Sequence, residues 1–392
     1  MKKSNLKILI YGSLGEKNVG DEVILDQLLE SFDSNDQITV ISKDPSYTVR
    51  NFGCHAIEEH HPFNFLRILK NIIKLRFKLL IDRIKVIVAI IKSDVFVLAG
   101  GGIIVEVHQN ELFKYLEICN IAKFFGKKVV VNCVGVGPLQ TEEGKHRIRE
   151  TFNNSVDFVS VRDQHSKNLL TECGVEDKVI LTPDPAFNYQ IPRTQKEKVC
   201  LINVCRIYKK SQKKMEDYII KMQNLVTFIH EELGYKIKFV PFGVEDDREL
   251  SKKIQEGLSF DSELHESDDS YKGITDFMGD ASFSVTNRFH AGLISMVNGF
   301  PSFCIDHQYK AERLLIDMEL DDELLIPLAD GVHRQGSDEL DLEFAKQKIV
   351  SMLENEKNIC EKIDSYMQSK KAEVATYRNK ELGPFIDSIR SS

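Results

Sequence analysis

No CxxC pair occurs in this sequence: its eight cysteines stand at 54, 119, 133, 173, 200, 205, 304 and 360, mostly in apolar settings. That spacing argues against a zinc site or a disulfide framework and reads as reduced, buried thiols in a cytoplasmic protein. A signal-peptide h-region is missing too, since Met1-Lys-Lys-Ser-Asn5 leads straight into Lys7-Ile-Leu-Ile-Tyr11, so the chain is expected to stay in the cytoplasm. Charges interrupt every apolar run before the ~20 residues a membrane span needs. There is no basic excess: 52 Lys and Arg stand against 60 Asp and Glu, a net charge of −8, which gives no support to a nucleic-acid partner. Neither common nucleotide loop is present, because Gly12, Gly15 and Gly20 depart from GxGxxG spacing and no lysine-serine ending completes a P-loop. His55, His60 and His61 come without carboxylate or cysteine spacing, so no metal is expected.

What is present is alternation. At 392 residues and 42% hydrophobic content the chain can fill two cores. Buried-strand patterns such as Lys7 to Tyr11, Asp94 to Ala99, Val129 to Val134 and Asp157 to Val161 alternate with helical ones, which favours parallel sheets with crossover helices. Prolines 183 and 185 mark the exit from a first domain, and a polar linker follows at 193–198. A second series starts at Val199 to Val204 and reaches strands at 236–240, 282–285 and 302–305. The expected fold is therefore α/β with two Rossmann-like domains facing across a cleft. They are assigned to residues 1–190 and 199–339, with a charged helical tail at 340–392 that either crosses back to the first domain or covers the second.

Several strand ends carry groups suited to a ligand. After Ser284-Val-Thr-Asn287 come Arg288, Phe289 and His290, then a helix with Leu293, Ile294 and Val297 on its buried face, ending at the Asn298-Gly299 cap signal. A helix N-terminus and a guanidinium fork together suit a carboxylate or a phosphate. The same residues also fit a structural reading in which Arg288 pairs with an Asp and His290 caps the helix, and the residues alone leave the two open. Glycines 12 and 20 flank the loop after the first strand. Gly100, Gly101 and Gly102 follow Ala99, and Gly135 and Gly137 follow Val134. In an open α/β sheet these loops lie at the carboxyl edge, where ligands bind. Asp21 and Glu22 suit a helix dipole as caps and are also candidates for moving protons. Arg162-Asp163 reads as a strand-to-helix structural pair, and Asp184 as a turn residue.

One segment departs from a plain enzyme core. Residues 63–92 hold Arg67, Lys70, Lys74, Arg76, Lys78, Arg83, Lys85 and Lys92 against one acid, Asp82, interleaved with apolar residues. The pattern suits amphipathic helices with a basic face that contact an anionic membrane peripherally, or helices packed on the sheet with a solvated lysine face.

Taken in order, Tyr11-Gly12 through Asn18-Val-Gly-Asp-Glu22, Ala99-Gly-Gly-Gly102, Gly135-Val-Gly-Pro-Leu139, Val161-Arg-Asp-Gln-His-Ser166, Pro183-Asp-Pro-Ala-Phe187 and Asn287-Arg-Phe-His-Ala-Gly292 resemble the polysaccharide pyruvyl transferase family. The resemblance covers roughly residues 6 to 310. This chain departs from it in having Phe289 where the family more often has leucine, and Ile103-Ile-Val-Glu106 where it has a polar or acidic residue. The resemblance implies a glycosyltransferase-B-like arrangement and transfer of pyruvate from phosphoenolpyruvate onto two hydroxyls of a cell-surface sugar or its lipid-linked precursor. It implies no cofactor beyond that co-substrate. Arg288, Phe289, His290 and Arg206 would hold the donor. His290, with Asp21 or Glu22 as base, would move protons, and a phosphate beside His290 would favour its protonated form. Asn18, Glu106 and His108 are candidates to meet the acceptor. Rival readings from the same features are a sugar-nucleotide glycosyltransferase and a non-catalytic scaffold of a glycan assembly complex.

Overall fold

The computed structural model describes residues 5–59, 77–106, 109–175, 178–194, 197–208, 211–328 and 339–391. The chain forms two compact units. The first comprises Met1–Glu16, Asp21–Pro185 and Ala372–Ser392, the second Lys17–Gly20 and Ala186–Lys371.

The first unit holds strands β1 (Lys7–Tyr11), β2 (Gln37–Ser42), β3 (His55–Glu58), β4 (Val95–Ala99), β5 (Lys128–Val134), β6 (Phe158–Val161) and β7 (Val179–Leu181), in the order β3-β2-β1-β4-β5-β6-β7. Every pairing is parallel. Side chains alternate between faces along a strand, and helices cover both faces of a parallel sheet, so the central strands β1 and β4 are apolar almost throughout. Leu9, Tyr11, Phe96 and Leu98 feed one core, whereas Ile8, Ile10, Val95 and Val97 feed the other. Each such side chain, once buried, contributes roughly 1.5–3 kcal/mol.

The second unit holds β8 (Val199–Asn203), β9 (Lys236–Phe239), β10 (Glu263–Leu264), β11 (Phe283–Thr286), β12 (Ser302–Asp306) and β13 (Leu325–Pro327), ordered β10-β9-β8-β11-β12-β13 and again wholly parallel. Its order is the doubly wound one, and the first unit has that order plus a seventh strand. In both sheets the strand order reverses beside the first strand, between β1 and β4 and between β8 and β11. Those switch points are where open α/β sheets bind ligands.

The α/β class with two Rossmann-like domains is the one expected, but the boundaries differ from the sequence assignment. The first unit stops at Pro185, because the next residues find partners in the second: Tyr189 Oη meets Thr275 Oγ1 at 2.9 Å and Ile191 N–H donates to Asn298 Oδ1 at 3.0 Å. The tail divides between the two units. Its last part joins the first, with Tyr377, Leu382 and Ile386 in that unit's core and the buried Arg390 paired with Asp36 at 2.9 Å and Asp33 at 2.7 Å. Among the described residues no helix is long and apolar enough to cross a membrane.

Candidate active site

In the second unit, two asparagines fix the strand ends at the switch point. Asn203 closes β8, its Oδ1 accepting Arg288 N–H at 3.0 Å while its Nδ2 donates to Val240 O at 2.9 Å. Asn287 follows β11. Its Oδ1 accepts from Tyr218 Oη at 2.6 Å and its Nδ2 donates to Ile305 O at 3.1 Å. Burial pushes the Tyr218 phenol well above its ordinary pKa, which keeps it a donor. These bonds set where the Phe289–Val297 helix begins, and its buried Ala291, Leu293, Ile294 and Val297 set which way it faces. Asn298 caps it and Gly299 follows at φ 83°, as the sequence signal indicated.

Arg288 occupies the N-cap position, and its guanidinium grips Asp247, Nε to Oδ2 at 2.6 Å and Nη2 to Oδ1 at 2.7 Å. Of the two readings the sequence left open, pairing with an Asp is thus observed. It fixes the plane of the fork, with Nε and Nη2 both given to the carboxylate. Asp247 is fully buried, whereas the arginine side chain is 31% exposed. The same carboxylate accepts Gly243 N–H at 2.7 Å, in the first turn of the Val244–Gln255 helix. A Cβ at Gly243 would lie 2.2 Å from Arg288 Nη2, so the guanidinium packs directly on this glycine. Arg206 is exposed and lies beyond the end of β8.

The Lys17–Gly20 segment completes this side. Val19 N–H donates to Phe242 O at 2.8 Å, Asn18 bridges Gly243 in antiparallel fashion, and Lys17 pairs with Asp269 at 2.8 Å. Asp269 also meets Arg248 at 2.9 Å. The hydrogen bond from Lys17, with help from Arg248 and against burial, holds its carboxyl below the ordinary range. Asn18 and Gly20, which the sequence put with the first domain, therefore group with His290. A Cβ at Gly20 would lie 2.1 Å from His290 Nδ1 and 2.8 Å from its Cβ, so the imidazole lies directly on this glycine. Gly20→Ala should turn the ring aside and lower turnover about tenfold, a fraction of what a 1 Å misplacement can cost. Its melting temperature should also fall by a few degrees, because a Cβ 2.8 Å from the His290 Cβ is not accommodated by turning the ring alone. Unchanged turnover in a folded Gly20→Ala protein would show that the position of His290 is immaterial.

In the first unit, Gly12 follows β1 and Gly100–Gly102 follow β4, on either side of its switch point. Gly101 N–H donates to Asp21 Oδ1 at 3.3 Å, and Gly135 N–H to Gly101 O at 2.9 Å. Gly137 N–H donates to Ile104 O at 2.8 Å. Glu22 is fully buried and its Oε1 accepts Gly15 N–H at 3.0 Å, whereas Asp21 keeps 9% exposure. Glu22 thus clasps the glycine loop, and Asp21 is the one of the pair with access to solvent.

Sequence reasoning missed one group here. Arg162, at the end of β6, forms an ion pair with Asp184 at 3.0 Å, and their side chains are 7% and 3% exposed. Arg162 Nη1 and Asp21 Oδ1 both face Gly101, 3.5 and 2.7 Å from where its Cβ would be. The strand-to-helix pair read from the sequence is present as well, with Arg162 Nε 3.8 Å from Asp163 Oδ2 and Asp163 capping the Gln164–Glu172 helix through Ser166 N–H at 2.7 Å. A charge at a strand's carboxyl edge beside a Pro-Asp-Pro turn was the available signal, because buried charges require partners.

Glu106 is 2% exposed and accepts hydrogen bonds from Gln140 N–H at 2.6 Å, Thr141 N–H at 2.8 Å and the Thr141 hydroxyl. Burial pushes its carboxyl up, but the Thr141 and Gln140 bonds and the charge of Lys145 outweigh that and hold it below the ordinary range. In the structure it braces the start of the Glu142–Asn154 helix. His108, His60, His61 and residues 63–76 lie outside the described residues. Among the described residues no group of three or more His, Cys, Asp or Glu could hold a metal ion.

A family model for polysaccharide pyruvyl transferases matches residues 18–309, which include Asp21, the Gly100–Gly102 and Gly135–Gly137 loops, Arg162 and the Arg288 junction. The chain belongs to the polysaccharide pyruvyl transferase family. It is accordingly a transferase of polysaccharide biosynthesis. No curated protein matches the chain in sequence. Solved structures similar to it include a Listeria monocytogenes protein proposed to be a UDP-N-acetylglucosamine 2-epimerase, at TM-score 0.63 and 10% identity over 99% of this chain and 98% of that one. Anabaena HepE in complex with UDP has TM-score 0.58 and 11% identity over 98% and 100% of the two chains. The UDP-GlcNAc 2-epimerase from Neisseria meningitidis bound to UDP-GlcNAc has TM-score 0.58 and 11% identity over 98% and 99%. At such identities the likeness shows the fold alone, the glycosyltransferase-B-like class that the family resemblance implied.

Proposed function

We propose that this protein transfers pyruvate from phosphoenolpyruvate to two hydroxyls of one sugar in a polysaccharide or its lipid-linked precursor, forming a ketal. The observation that carries the reading is the Arg288-Phe289-His290 junction at the switch point of the second sheet, in a chain of a family named for pyruvyl transfer. Phosphoenolpyruvate carries two anionic groups. The Arg288 guanidinium, Arg206 and the positive end of the Phe289–Val297 helix are donors of the right kind for them.

In the proposed reaction His290 gives a proton to the methylene carbon of the donor, a sugar hydroxyl attacks the adjacent carbon, and inorganic phosphate leaves. A neighbouring hydroxyl then adds to the same carbon, so one donor and one diol give one ketal and one phosphate. Asp21 is the proposed base for the hydroxyl protons, and Glu22 supports its loop. Charge is supplied by arginines, so no metal is required in this reading.

Thermal denaturation tests it. Phosphoenolpyruvate at ~100 times its dissociation constant should stabilise the protein by ~2.7 kcal/mol, several degrees in Tm, with or without EDTA. A shift with UDP or GDP and none with phosphoenolpyruvate would favour a sugar-nucleotide glycosyltransferase. No shift with any of them would favour a scaffold.

A further inference from the structure

Lys17 stands at φ 56°, a left-handed conformation that a residue with a Cβ keeps only where its surroundings hold it there. Part of the hold is main chain. Asn18 and Gly243 face each other across an antiparallel bridge, with Val19 N–H donating to Phe242 O at 2.8 Å and Val244 N–H to Lys17 O at 3.3 Å. The side chain adds an attachment to a different element. Lys17 Nζ donates to Asp269 Oδ2 at 2.8 Å, in the loop between β10 and the Tyr271–Asp276 helix.

Asp269 is itself fixed. Its Oδ1 accepts from Arg248 Nη1 at 2.9 Å, and Arg248 Nη2 reaches Asp268 O at 3.4 Å. Asp268 Oδ1 in turn accepts Ser270 N–H at 2.8 Å and the Ser270 hydroxyl at 2.7 Å. A lone, partly exposed ion pair contributes little, but here the acceptor is held by a second cation on the Val244–Gln255 helix, so the ammonium is drawn to a fixed point.

Three residues after Lys17 comes the floor of the half-buried His290. A Cβ at Gly20 would lie 2.5 Å from the imidazole Cγ as well as against its Nδ1 and Cβ, so any displacement of Gly20 reaches the ring. Gly20 N–H donates to Asn18 Oδ1 at 3.3 Å, which ties the glycine to the bridged residue. Arg288 is anchored separately, by Asp247. We propose that Lys17 and Asp269 are a positioning pair for His290: their ion pair keeps the Lys17–Gly20 segment on its strained path and thereby keeps the imidazole aimed, without touching substrate. The inference deepens the proposed reaction and rests on His290 as its proton donor.

Two measurements test it. The rate at which diethyl pyrocarbonate modifies His290 in the full chain, followed by peptide mass, reads the ring with no substrate present. It should rise about fivefold in Lys17→Met and in Asp269→Asn, as the segment over the ring loosens, and stay at the wild-type rate in Lys17→Arg, which keeps the charge. With phosphoenolpyruvate and cell-surface saccharides as acceptors, kcat should fall about tenfold in the first two variants while the phosphoenolpyruvate dissociation constant stays within about twofold. Lys17→Arg should keep most of the turnover. Combining Lys17→Met with Asp269→Asn should cost no more than the worse single change, because both remove one bond. The side chains are 24% and 32% exposed, so the variants should fold and melt close to wild type. A wild-type modification rate in both overturns the proposal, and so does a raised rate with wild-type kcat. If wild type forms no ketal at all, the donor reading fails instead, and the modification rates alone then decide whether the pair positions the ring.

Discussion

Replacing His290 by Gln is expected to lower turnover about 100-fold or more, the usual weight of a positioned acid or base, while phosphoenolpyruvate binds within a few-fold of wild type. Glutamine keeps a polar N–H donor at the helix start but cannot shuttle a proton near neutral pH. Since the ring lies against Gly20, whose missing Cβ makes room for it, the substitution leaves the helix and the Lys17–Gly20 segment in place. Turnover and direct calorimetric binding must both be measured, because KM equals a dissociation constant only when chemistry is slow. Equal losses in binding and turnover would make His290 a binding residue. Wild-type values for both would remove it from the site.

Arg288→Ala should weaken phosphoenolpyruvate binding about 100-fold, the scale of one or two lost charge-assisted hydrogen bonds. It should also destabilise the fold, because the fully buried Asp247 carboxylate loses its bidentate partner. Breaking a buried pair costs ~3–5 kcal/mol, and the partial exposure of the arginine reduces that to about 2–3 kcal/mol here. The two effects can be separated. Adding Asp247→Asn should restore most of the melting temperature without restoring donor affinity, and Arg288→Lys should recover only part of either, for want of the planar fork. If Arg288→Ala/Asp247→Asn binds phosphoenolpyruvate as wild type does, the arginine serves the fold alone.

These two outcomes differ in kind because the residues differ in how visible their surroundings are from sequence. The strand at β1 and the Phe289–Val297 helix were legible locally, the first from an unbroken apolar run, the second from the Asn298-Gly299 cap and its apolar spacing. The partner of Arg288 was not, since Asp247 is 41 positions away and sits in the first turn of a helix where an acid already has a local reason to be. Arg162 and Asp184 were hidden for a like reason, as each has a bland local role that says nothing of their ion pair. Assigning Lys17–Gly20 failed through tertiary contact: a loop leaving β1 reads as part of its own domain, and contacts such as the bridge between Asn18 and Gly243 and the bond from Val19 N–H to Phe242 O show otherwise. The tail was legible as helix, because amphipathic spacing shows that a face is buried. It does not show against which sheet, and the division at Lys371 depends on particular contacts such as Tyr377 with Asn132 at 2.6 Å.

Pyruvyl transfer itself is tested by incubating the purified protein with phosphoenolpyruvate and a panel of cell-surface saccharides and their lipid-linked precursors. Inorganic phosphate release is followed together with the mass of the glycan. Phosphate should be released one for one with addition of a single acid-labile pyruvyl group to a sugar, a reaction lost in His290→Gln and unaffected by EDTA. Sugar transfer from a UDP- or GDP-sugar under the same conditions, with phosphoenolpyruvate untouched, would contradict it.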